Sequence, residues 1–476
     1  MHKIASIAAL AATGSLAQTT PPTSPWKINC QTLTSPDGQP GPAFTTLQPR
    51  SDGEYNVVFS SFARQYGAIA ATGGYGNNPN VDNFCDVGDN SSYTQIVDTN
   101  IFNWPNGVSP VPIEVFGSDG YLAVADGFGT PAAHDGCIAI VNTNTNLPAN
   151  VGDIQFISQG CGQGNLLQTK YFYHYIEWVD MDGDGDLDIL TARGSSLTSP
   201  VTLDASMLVW YQNPGSAFST TARNWKEFVI ESSEDICDVG FDLVTYKNQK
   251  YVVCGGFASG VMATFTGSDW ANTANIKATI VETRESTMAQ TTNTTFYFSQ
   301  TWADMNNDGI PDAIVTIGSY GVNYGKLLVY PGVDTDGVLS LGAGIMVYDQ
   351  FPLFSSSSVG SPGEAFPFYY GTQDQANGVL PSILVSGDDD GIMYMFDPTG
   401  YVNPDGSDFN WVYNAQAIMK TKQFSPFVTP FNAPTVGQPT IADVDGDGCN
   451  DIVVPSYYLK QMIFLEQKNK RNCASN

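Results

Sequence analysis

Three copies of one acidic nine-residue pattern constrain the fold of this chain more than any other feature of its sequence. The copies begin at Asp180, Asp304 and Asp443, and all three fit D-x-[DN]-x-D-G-x-x-D. Oxygen atoms at positions 1, 3, 5 and 9, with the backbone carbonyl at position 7, suit one hard cation, and glycine at position 6 permits the sharp turn between them. The sequence therefore predicts about three Ca²⁺ ions, one in each loop.

The residues around the loops indicate which kind of calcium site they form. An EF-hand needs a glutamate at position 12 and continues as a helix, whereas here position 12 is Thr191, Val315 or Val454. Apolar, β-branched residues follow each loop, and strand-like segments precede the loops at 175–179, 296–303 and 438–442. The pattern favours strand-loop-strand calcium sites. The alternative is that the three turns are solvated hairpins that hold no cation.

Strands similar to those after the loops recur along the whole chain. They are marked by residues 68, 122, 188, 251, 312, 382 and 451, which lie about 64 residues apart on average. Most units add a second apolar strand downstream, after glycines and turn residues. Units of this size with several short strands are typical of propeller blades, which bury their faces against their neighbours. The sequence therefore predicts an all-β, seven-bladed β-propeller with calcium-binding hairpin loops.

The loops and the apolar strand after each of them resemble FG-GAP/VCBS repeats, the blades of the integrin α-chain propeller and of calcium-bearing fungal propeller lectins. The resemblance implies that each loop joins the first two strands of a blade on one rim and stiffens that blade. It also implies a set of calcium-contacting residues: Asp180, Asp182, Asp184, Asp186, Asp188, Asp304, Asn306, Asp308, Ile310, Asp312, Asp443, Asp445, Asp447, Cys449 and Asp451.

The N-terminus has the features of an export signal. Lys3 precedes an apolar run, and small residues end the segment near Ala17. We interpret residues 1–17 as a signal peptide, 18–29 as a spacer and 30–476 as a single propeller. No later segment approaches the roughly 20 apolar residues needed to span a bilayer. We therefore expect a secreted, soluble, extracellular protein without a membrane span, acting as a monomer.

The cysteine content agrees with an oxidising compartment, since the chain has 8 cysteines, an even number. The favoured pairs are Cys237 with Cys254, and Cys30 with Cys473 as a closure of the ring. Cys161 lies in a glycine-rich turn, where we expect a disulfide rather than a phosphate loop or a nucleophile turn. Asn90 and Asn293 begin possible glycosylation sites.

The charge balance excludes several classes of partner. The formal net charge is -28, and the 19 basic residues are scattered. Nucleic acids, anionic membranes and polyanionic sugars need clustered lysine and arginine. The sequence therefore predicts no nucleic-acid partner.

Aromatic residues recur shortly before the loops and indicate a candidate ligand-binding surface. In a propeller, these positions would open the innermost strands on the rim opposite the calcium loops, where aromatic rings can stack on a sugar. Packing between blades is the alternative for each of them. The candidate ligand-binding residues are Tyr173, His174, Tyr297, Tyr369 and Tyr370.

The sequence gives no strong catalytic motif. A G-x-S-x-G elbow, an H-E-x-x-H pair and a C-x-x-C pair are all absent, and only His134 and His174 could act as a histidine base after export. We predict a binding or adhesion module for glycans or extracellular proteins, with no catalytic residues assigned. The alternative is a secreted lyase or glycoside hydrolase that uses the propeller as a scaffold.

Overall fold

A computed structural model gives the fold of the chain. The residues that it describes are 26–33, 41–49, 55–61, 68–72, 93–98, 101–128, 135–161, 171–195, 206–221, 224–230, 236–257, 259–284, 294–320, 325–351, 362–388, 391–399, 409–421, 436–444, 446–457, 459, 461–467 and 473. Within these ranges, no helix is both long and apolar enough to cross a membrane.

The described strands form six antiparallel sheets of four strands, one sheet of five strands and one two-stranded ribbon. We number the sheets 1 to 7 in chain order, and each is given from its first strand outwards. Sheet 1 contains β2 (Phe44–Pro49), β3 (Tyr55–Ser61), β4 (Ala68–Thr72) and β5 (Tyr93–Gln95). Sheet 2 contains β6 (Pro105–Pro110), β7 (Tyr121–Asp126), β8 (Ile138–Asn142) and β9 (Ile154–Phe156).

Sheets 3 to 5 follow the same order. Sheet 3 contains β10 (Tyr171–Tyr173), β11 (Glu177–Val179), β12 (Asp188–Ser195), β13 (Met207–Gln212) and β14 (Lys226–Ile230). Sheet 4 contains β15 (Phe241–Tyr246), β16 (Gln249–Gly255), β17 (Val261–Thr266) and β18 (Lys277–Thr283). Sheet 5 contains β19 (Thr294–Ala303), β20 (Asp312–Tyr320), β21 (Lys326–Tyr330) and β24 (Ile345–Tyr348), with the ribbon of β22 (Gly332–Thr335) and β23 (Val338–Leu341) inserted before β24.

Sheets 6 and 7 complete the series. Sheet 6 contains β25 (Ala365–Phe368), β26 (Ser382–Val385), β27 (Ile392–Pro398) and β28 (Tyr413–Lys420). Sheet 7 contains β29 (Thr440–Ala442), β30 (Asp451–Ser456), β31 (Gln461–Gln467) and, outermost, β1 (Trp26–Leu33). The described helices are short: α1 (Ile113–Phe116) and two 3-10 turns, Val151–Asp153 and Thr273–Asn275.

Apolar packing between neighbouring sheets closes this arrangement into a ring. The second and third strands of the sheets are apolar on both faces, as in Leu122–Ala125 and Ile138–Val141, all of which are fully buried. Each pair of consecutive sheets shares one buried apolar cluster, and the last cluster joins sheet 7 to sheet 1. A closed ring of radially packed antiparallel sheets is a β-propeller, as the sequence predicts.

The repeat pattern locates most units correctly. Residues 122, 188, 251, 312, 382 and 451 all lie in the second strand of their sheets, whereas residue 68 lies in the third strand of sheet 1. The seven predicted units correspond to six four-stranded sheets and one five-stranded sheet. The extra strand in sheet 3 arises because its first strand is interrupted between Tyr173 and Glu177, so that β10 and β11 both pair with β12.

The ring closes through a strand from the N-terminal end of the described chain. β1 pairs antiparallel with β31, from Trp26 opposite Gln467 to Leu33 opposite Gln461. Trp26 is buried against Phe368 of sheet 6, with ring centroids 5.6 Å apart. The predicted spacer therefore extends too far, because residues 26–29 belong to sheet 7. Residues 1–25, which include the predicted signal peptide, lie outside the described part of the chain.

Three disulfides join described cysteines. Cys237 pairs with Cys254, as predicted, and Cys161 of the glycine-rich turn pairs with Cys137. The predicted bond between Cys30 and Cys473 is wrong, because Cys473 pairs with Cys449. Backbone pairing of β1 with β31, rather than a disulfide between these two cysteines, holds the ends of the ring together.

We expect replacement of Trp26 by alanine to destabilise the protein by about 3–5 kcal/mol, because it removes a buried ring at the closure of the propeller. Trp26→Phe keeps most of the apolar contact with Phe368 and should cost clearly less. Denaturant unfolding of the two variants and the wild type would measure this. Equal stability of Trp26→Ala and the wild type would show that β1 does not close the ring.

Candidate functional site

The three Asp-rich loops have one conformation, fixed by the same three hydrogen bonds. The carboxylate at position 1 accepts a hydrogen bond from the N–H of the position 6 glycine, at 3.0, 2.9 and 2.9 Å in loop order. The aspartate at position 9 accepts one from the N–H of position 2, at 2.8, 2.8 and 3.1 Å. The aspartate at position 5 accepts one from the N–H of position 7, at 2.9, 2.8 and 2.8 Å. We call the loops that begin at Asp180, Asp304 and Asp443 loop 1, loop 2 and loop 3.

Two positions of each loop have a left-handed backbone. The position 6 glycines have φ values of 97° at Gly185, 81° at Gly309 and 86° at Gly448, as the sequence predicts. Position 4 is also left-handed, and glycine occupies it in loops 1 and 3 while Asn307, with a φ of 58°, occupies it in loop 2. Glycine and asparagine are the residues that tolerate this conformation best. The recurrence of these residues at position 4 is a sequence signal of the loop that the analysis above does not use.

The donor atoms of the loops fit a divalent cation. In loop 1, Asp180, Asp182 and Asp188 have ligand oxygens that all lie within 4.8 Å of one another. Asp188 and its loop 2 equivalent Asp312 are fully buried, and burial raises the pKa of each to about 7. A bound cation would supply the positive charge that keeps such buried carboxylates ionised. Asp445 of loop 3 lies outside the described residues.

The loops and the main cavity lie at opposite rims of the propeller. Each loop joins the end of a first strand to the start of the second strand, as in β19 and β20. Because the strands are antiparallel, the starts of the first strands and the ends of the second strands lie at the other rim. Phe44 at the start of β2 and Phe257 just after the end of β16 both line the cavity. The cavity therefore opens at the rim away from the loops.

This cavity lies on the central axis and has a volume of about 250 Å³. Aromatic rings form much of its wall, and they are Phe44, Trp104, Phe128, Phe257, Phe296, Phe298 and Tyr457. A smaller cavity of about 120 Å³ is lined by five of the same residues, His174, Val239, Phe298, Glu364 and Gln438. We call the two cavities together the central channel.

Irregularities in the first strands direct side chains into the central channel. The pairing of β19 with β20 skips Phe298, and the pairing of β6 with β7 skips Asn106 and Gly107. In sheet 3, the interruption between β10 and β11 contains His174. All three side chains line the channel. A β-bulge re-aims the residues at the irregularity, which explains why these three face the axis.

The predicted binding residues Tyr173 and Tyr297 do not line the channel. Both are buried between sheets, Tyr173 in the cluster of sheets 2 and 3 and Tyr297 in that of sheets 4 and 5. The Tyr173 hydroxyl lies 3.2 Å from that of Tyr211, and Arg284 donates a hydrogen bond to Tyr297 at 3.2 Å. The neighbouring Phe296 faces the channel instead. Successive strand residues point to opposite faces, so the sequence analysis chose the wrong member of each Phe-Tyr pair.

The prediction that Tyr369 and Tyr370 lie opposite the loops is also wrong. β25 ends at Phe368, so both tyrosines follow the first strand of sheet 6 on the rim that carries the loops. The Tyr369 carbonyl accepts a hydrogen bond from Asn450 Nδ2 of loop 3 at 2.8 Å, and Tyr370 Oη donates to Asp397 at 2.8 Å. The pair is thus part of the loop rim. Of the five predicted residues, only His174 lines the channel; His134 lies outside the described residues.

The central channel holds acidic groups in an environment poor in water. Glu364 immediately precedes β25, and burial alone raises its pKa to about 8, so that it is protonated at neutral pH. Glu177 and Asp242 form a coupled pair, and burial raises the pKa of both. Burial first, and then the charges of Glu177, Asp242 and Glu364, raise the pKa of Tyr175. These three residues, which we call the channel acids, therefore surround one tyrosine. Sequence reasoning missed all three.

Neutral polar groups complete the wall. Burial lowers the pKa of His174 to about 4, so its imidazole is uncharged at neutral pH. Asn106 donates hydrogen bonds to Gly127 and Tyr173 carbonyls, while its Oδ1 has no hydrogen-bond partner among the described residues. Gln300 accepts a hydrogen bond from Gly255 N–H at 2.8 Å, while its Nε2 has none within the same ranges. The channel thus combines fixed polar groups with apolar walls, as small-molecule sites do.

No protein-family model and no curated protein matches the sequence. Three solved structures that match the fold are as follows, each with a low sequence identity. An α-L-arabinanase of Penicillium chrysogenum complexed with arabinobiose is 13% identical over 90% of this chain and 99% of its own, with a TM-score of 0.38. The polysaccharide lyase Uly1 is 9% identical over 90% of each chain, with a TM-score of 0.41. A chain of Polycomb Repressive Complex 2 of Chaetomium thermophilum bound to GSK126 is 8% identical over 93% of this chain and 99% of its own, with a TM-score of 0.46.

The pKa of Glu364 predicts a specific pH dependence of stability. The folded protein holds one proton more than the unfolded chain between the usual glutamate pKa and about 8, so this group favours folding at low pH and its contribution is lost as the pH rises. Between pH 5 and pH 8 we expect the wild type to lose about 1–2 kcal/mol relative to Glu364→Gln, after allowance for partial exposure. Denaturant midpoints at both pH values would measure the difference, and parallel curves for the two proteins would contradict it.

Proposed function

We propose that this protein is a glycoside hydrolase that cleaves a neutral polysaccharide in the central channel. The observation that supports the proposal most is Glu364, a carboxyl that keeps its proton at neutral pH and lines the same channel as Asp242. Glycoside hydrolysis uses two carboxyl groups of different protonation, one as acid and one as base or nucleophile. The channel acids supply both states.

The proposed reaction assigns one role to each side of the channel. Glu364 donates its proton to the glycosidic oxygen as the bond from that oxygen to the anomeric carbon breaks. A water molecule adds to the anomeric carbon, and its proton passes to the carboxylate pair of Asp242 and Glu177. Afterwards Glu364 recovers a proton from solvent, which restores the starting state.

The proposed substrate class follows from the wall of the channel. The described residues that line it include no lysine or arginine, so a sugar acid would find no counter-charge there. Aromatic rings such as Trp104 and Phe298 offer flat apolar faces for a sugar ring. Asn106 and Gln300 hold amide groups suited to hydroxyls. A neutral sugar matches these groups better than a uronic acid does.

The second candidate function is a glycan or protein-binding module without catalysis. The same aromatic wall favours it, because stacking on rings and hydrogen bonds to amides are sufficient for binding. His174 is the member of the predicted binding set that this reading retains in the channel. The two functions differ only in whether Glu364 transfers its proton.

The remaining sequence predictions enter the proposal as follows. We count the five-stranded sheet as one blade, since seven apolar clusters join consecutive sheets around the ring, and this makes the propeller seven-bladed. The position of the loops between first and second strands supports assignment to the FG-GAP/VCBS repeats. The three disulfides support secretion.

The proposal predicts product release that depends on Glu364. The wild type should release reducing ends from at least one neutral polysaccharide, and Glu364→Gln should lower kcat about 100-fold or more while it still binds the substrate, since a positioned acid contributes 10²–10⁴-fold. Glu114→Gln on the exposed helix α1 is the matched control and should keep full activity. Activity should also fall above pH 8, as Glu364 loses its proton.

The result that would reverse the choice of function is specific. If a glycan array gives stable binding and no neutral polysaccharide is cleaved by the wild type, the protein is a binding module. If acidic polysaccharides are cleaved and neutral ones are not, the proposed substrate class is wrong.

We also propose that each loop binds one Ca²⁺. A ligand that binds only the folded state at a hundredfold excess over Kd stabilises it by about 2.7 kcal/mol. EDTA should therefore lower Tm, and Asp184→Asn should lower Tm in calcium with little further effect of EDTA on loop 1. Asp119→Asn removes an equal charge from an exposed site outside the loops and should leave Tm unchanged. Calorimetric scans with and without EDTA test this, and a Tm that ignores both EDTA and Asp184→Asn would refute the calcium sites.

A further inference from the structure

Sheet 6 has no Asp-rich loop, and a different segment occupies the corresponding place. Residues 369–378, which we call the sheet 6 turn, follow β25 on the rim between loop 2 of sheet 5 and loop 3 of sheet 7. The turn is tightly folded. Asp374 accepts a hydrogen bond from Gly371 N–H at 2.7 Å, and the Asp374 carbonyl accepts one from Val379 N–H at 3.0 Å. Its two ends can therefore transmit a displacement rather than absorb it.

Loop 3 is bound to the start of this turn by several hydrogen bonds. Thr372 N–H donates to the Gly448 carbonyl at 3.0 Å, and Asn450 N–H donates to the Tyr370 carbonyl at 2.8 Å. Asn450 Nδ2 donates to the Tyr369 carbonyl at 2.8 Å. Gly448 and Asn450 are positions 6 and 8 of loop 3, on either side of the Cys449 carbonyl that would face a cation. A change in the shape of loop 3 must therefore move the sheet 6 turn.

Loop 2 is bound to the same turn from the other side. Asn307, at position 4 of loop 2, donates a hydrogen bond through Nδ2 to the Gly378 carbonyl at 2.6 Å. The phenol of Tyr369 lies close enough to Asp304 that the aspartate raises its pKa, after the effect of burial. Tyr369 thus lies between loop 2, through its ring, and loop 3, through its carbonyl.

Loop 1 has other partners. Asp182 accepts a hydrogen bond from Gln212 Nε2 at 2.6 Å, and Lys250 of sheet 4 donates to the Met181 carbonyl at 3.4 Å. Among the described residues, no hydrogen bond joins loop 1 to loop 2 or loop 3. Sheet 4 lies between loop 1 and loop 2 in the ring and ends there in the tight turn of Lys247 and Asn248.

We infer that loops 2 and 3 form one cooperative unit through the sheet 6 turn, so that a cation in either loop strengthens binding in the other, whereas loop 1 binds independently. This inference rests on the proposed calcium sites and extends them to an interaction between sites. The physical reason is that ordering of one loop fixes the turn and thereby lowers the entropic cost of ordering the other. Because such coupling is reciprocal, each of the two sites must raise the affinity of the other by the same factor.

The chain offers a matched pair of variants for the test. Asn307→Gly removes the hydrogen bond to Gly378 and places in loop 2 the residue that loops 1 and 3 already have at position 4, where the backbone is left-handed in all three. Gly183→Asn makes the reverse change in loop 1 and serves as the control. Both variants retain every predicted cation ligand.

Calcium titrations by calorimetry would measure the coupling in two-site proteins. Asp180→Asn leaves loops 2 and 3, and we expect two ions to bind with positive cooperativity, the second about fivefold more tightly than the first. Asp443→Asn leaves loops 1 and 2, and we expect two independent ions. Adding Asn307→Gly to Asp180→Asn should remove the cooperativity, whereas Gly183→Asn in the otherwise native chain should leave the pairing of loops 2 and 3 intact.

Three outcomes would overturn the inference. Asp180→Asn and Asp443→Asn proteins that titrate alike would show that the sheet 6 turn transmits nothing, and so would cooperativity that persists with Asn307→Gly. An absence of binding heat in all variants would refute the calcium sites themselves, which distinguishes that failure from the failure of coupling. Circular dichroism of the calcium-free Asn307→Gly protein identical to that of the wild type would show that the variant folds.

Discussion

Burial of both faces of every sheet against its neighbours is the interaction on which the rest of this structure depends. Second and third strands such as Leu122–Ala125 have no polar face, so an isolated sheet would expose two apolar surfaces to water. A row of such sheets still exposes one face at each end, and only a closed ring exposes none. The cluster between sheets 7 and 1 and the pairing of β1 with β31 achieve that closure. The central channel exists because first strands that meet around an axis cannot fill it.

The sequence predicted those parts of the fold that repeat. The acidic pattern located loops 1 to 3 between strands, and the apolar rhythm located the second strands of six sheets. It failed where the repeat breaks. β1 lies far in sequence from β31, so its role could not be read from local periodicity. The fourth strand of sheet 5 follows an inserted ribbon, β22 and β23, which no repeat would indicate.

The candidate site was predicted less well than the fold, and the reason is the irregular pairing of the first strands. Alternation along an ideal strand decides which side chains face the axis, but the irregularities near Asn106, His174 and Phe298 change that alternation. The sequence analysis therefore chose Tyr173 and Tyr297, which are buried between sheets. Glu364 could not be found among many acids, because its protonation depends on burial at the channel, and burial is a property of the ring rather than of the segment that carries it.

The opposite placement of loops and channel separates two demands that one surface could not meet. Carboxylates that hold a cation must be ionised, and a cation close to Glu364 would favour ionisation of that carboxyl as well. Loops 1 to 3 follow the ends of first strands, whereas Glu364 and the aromatic wall lie at their starts. Strand length therefore keeps the acidic rim apart from a carboxyl that must stay protonated to donate a proton. An Asp-rich loop at the channel mouth would lower the pKa of Glu364 when loaded and would remove its acid function. The antiparallel order of the strands thus permits a rim for stability and a rim for chemistry in one ring.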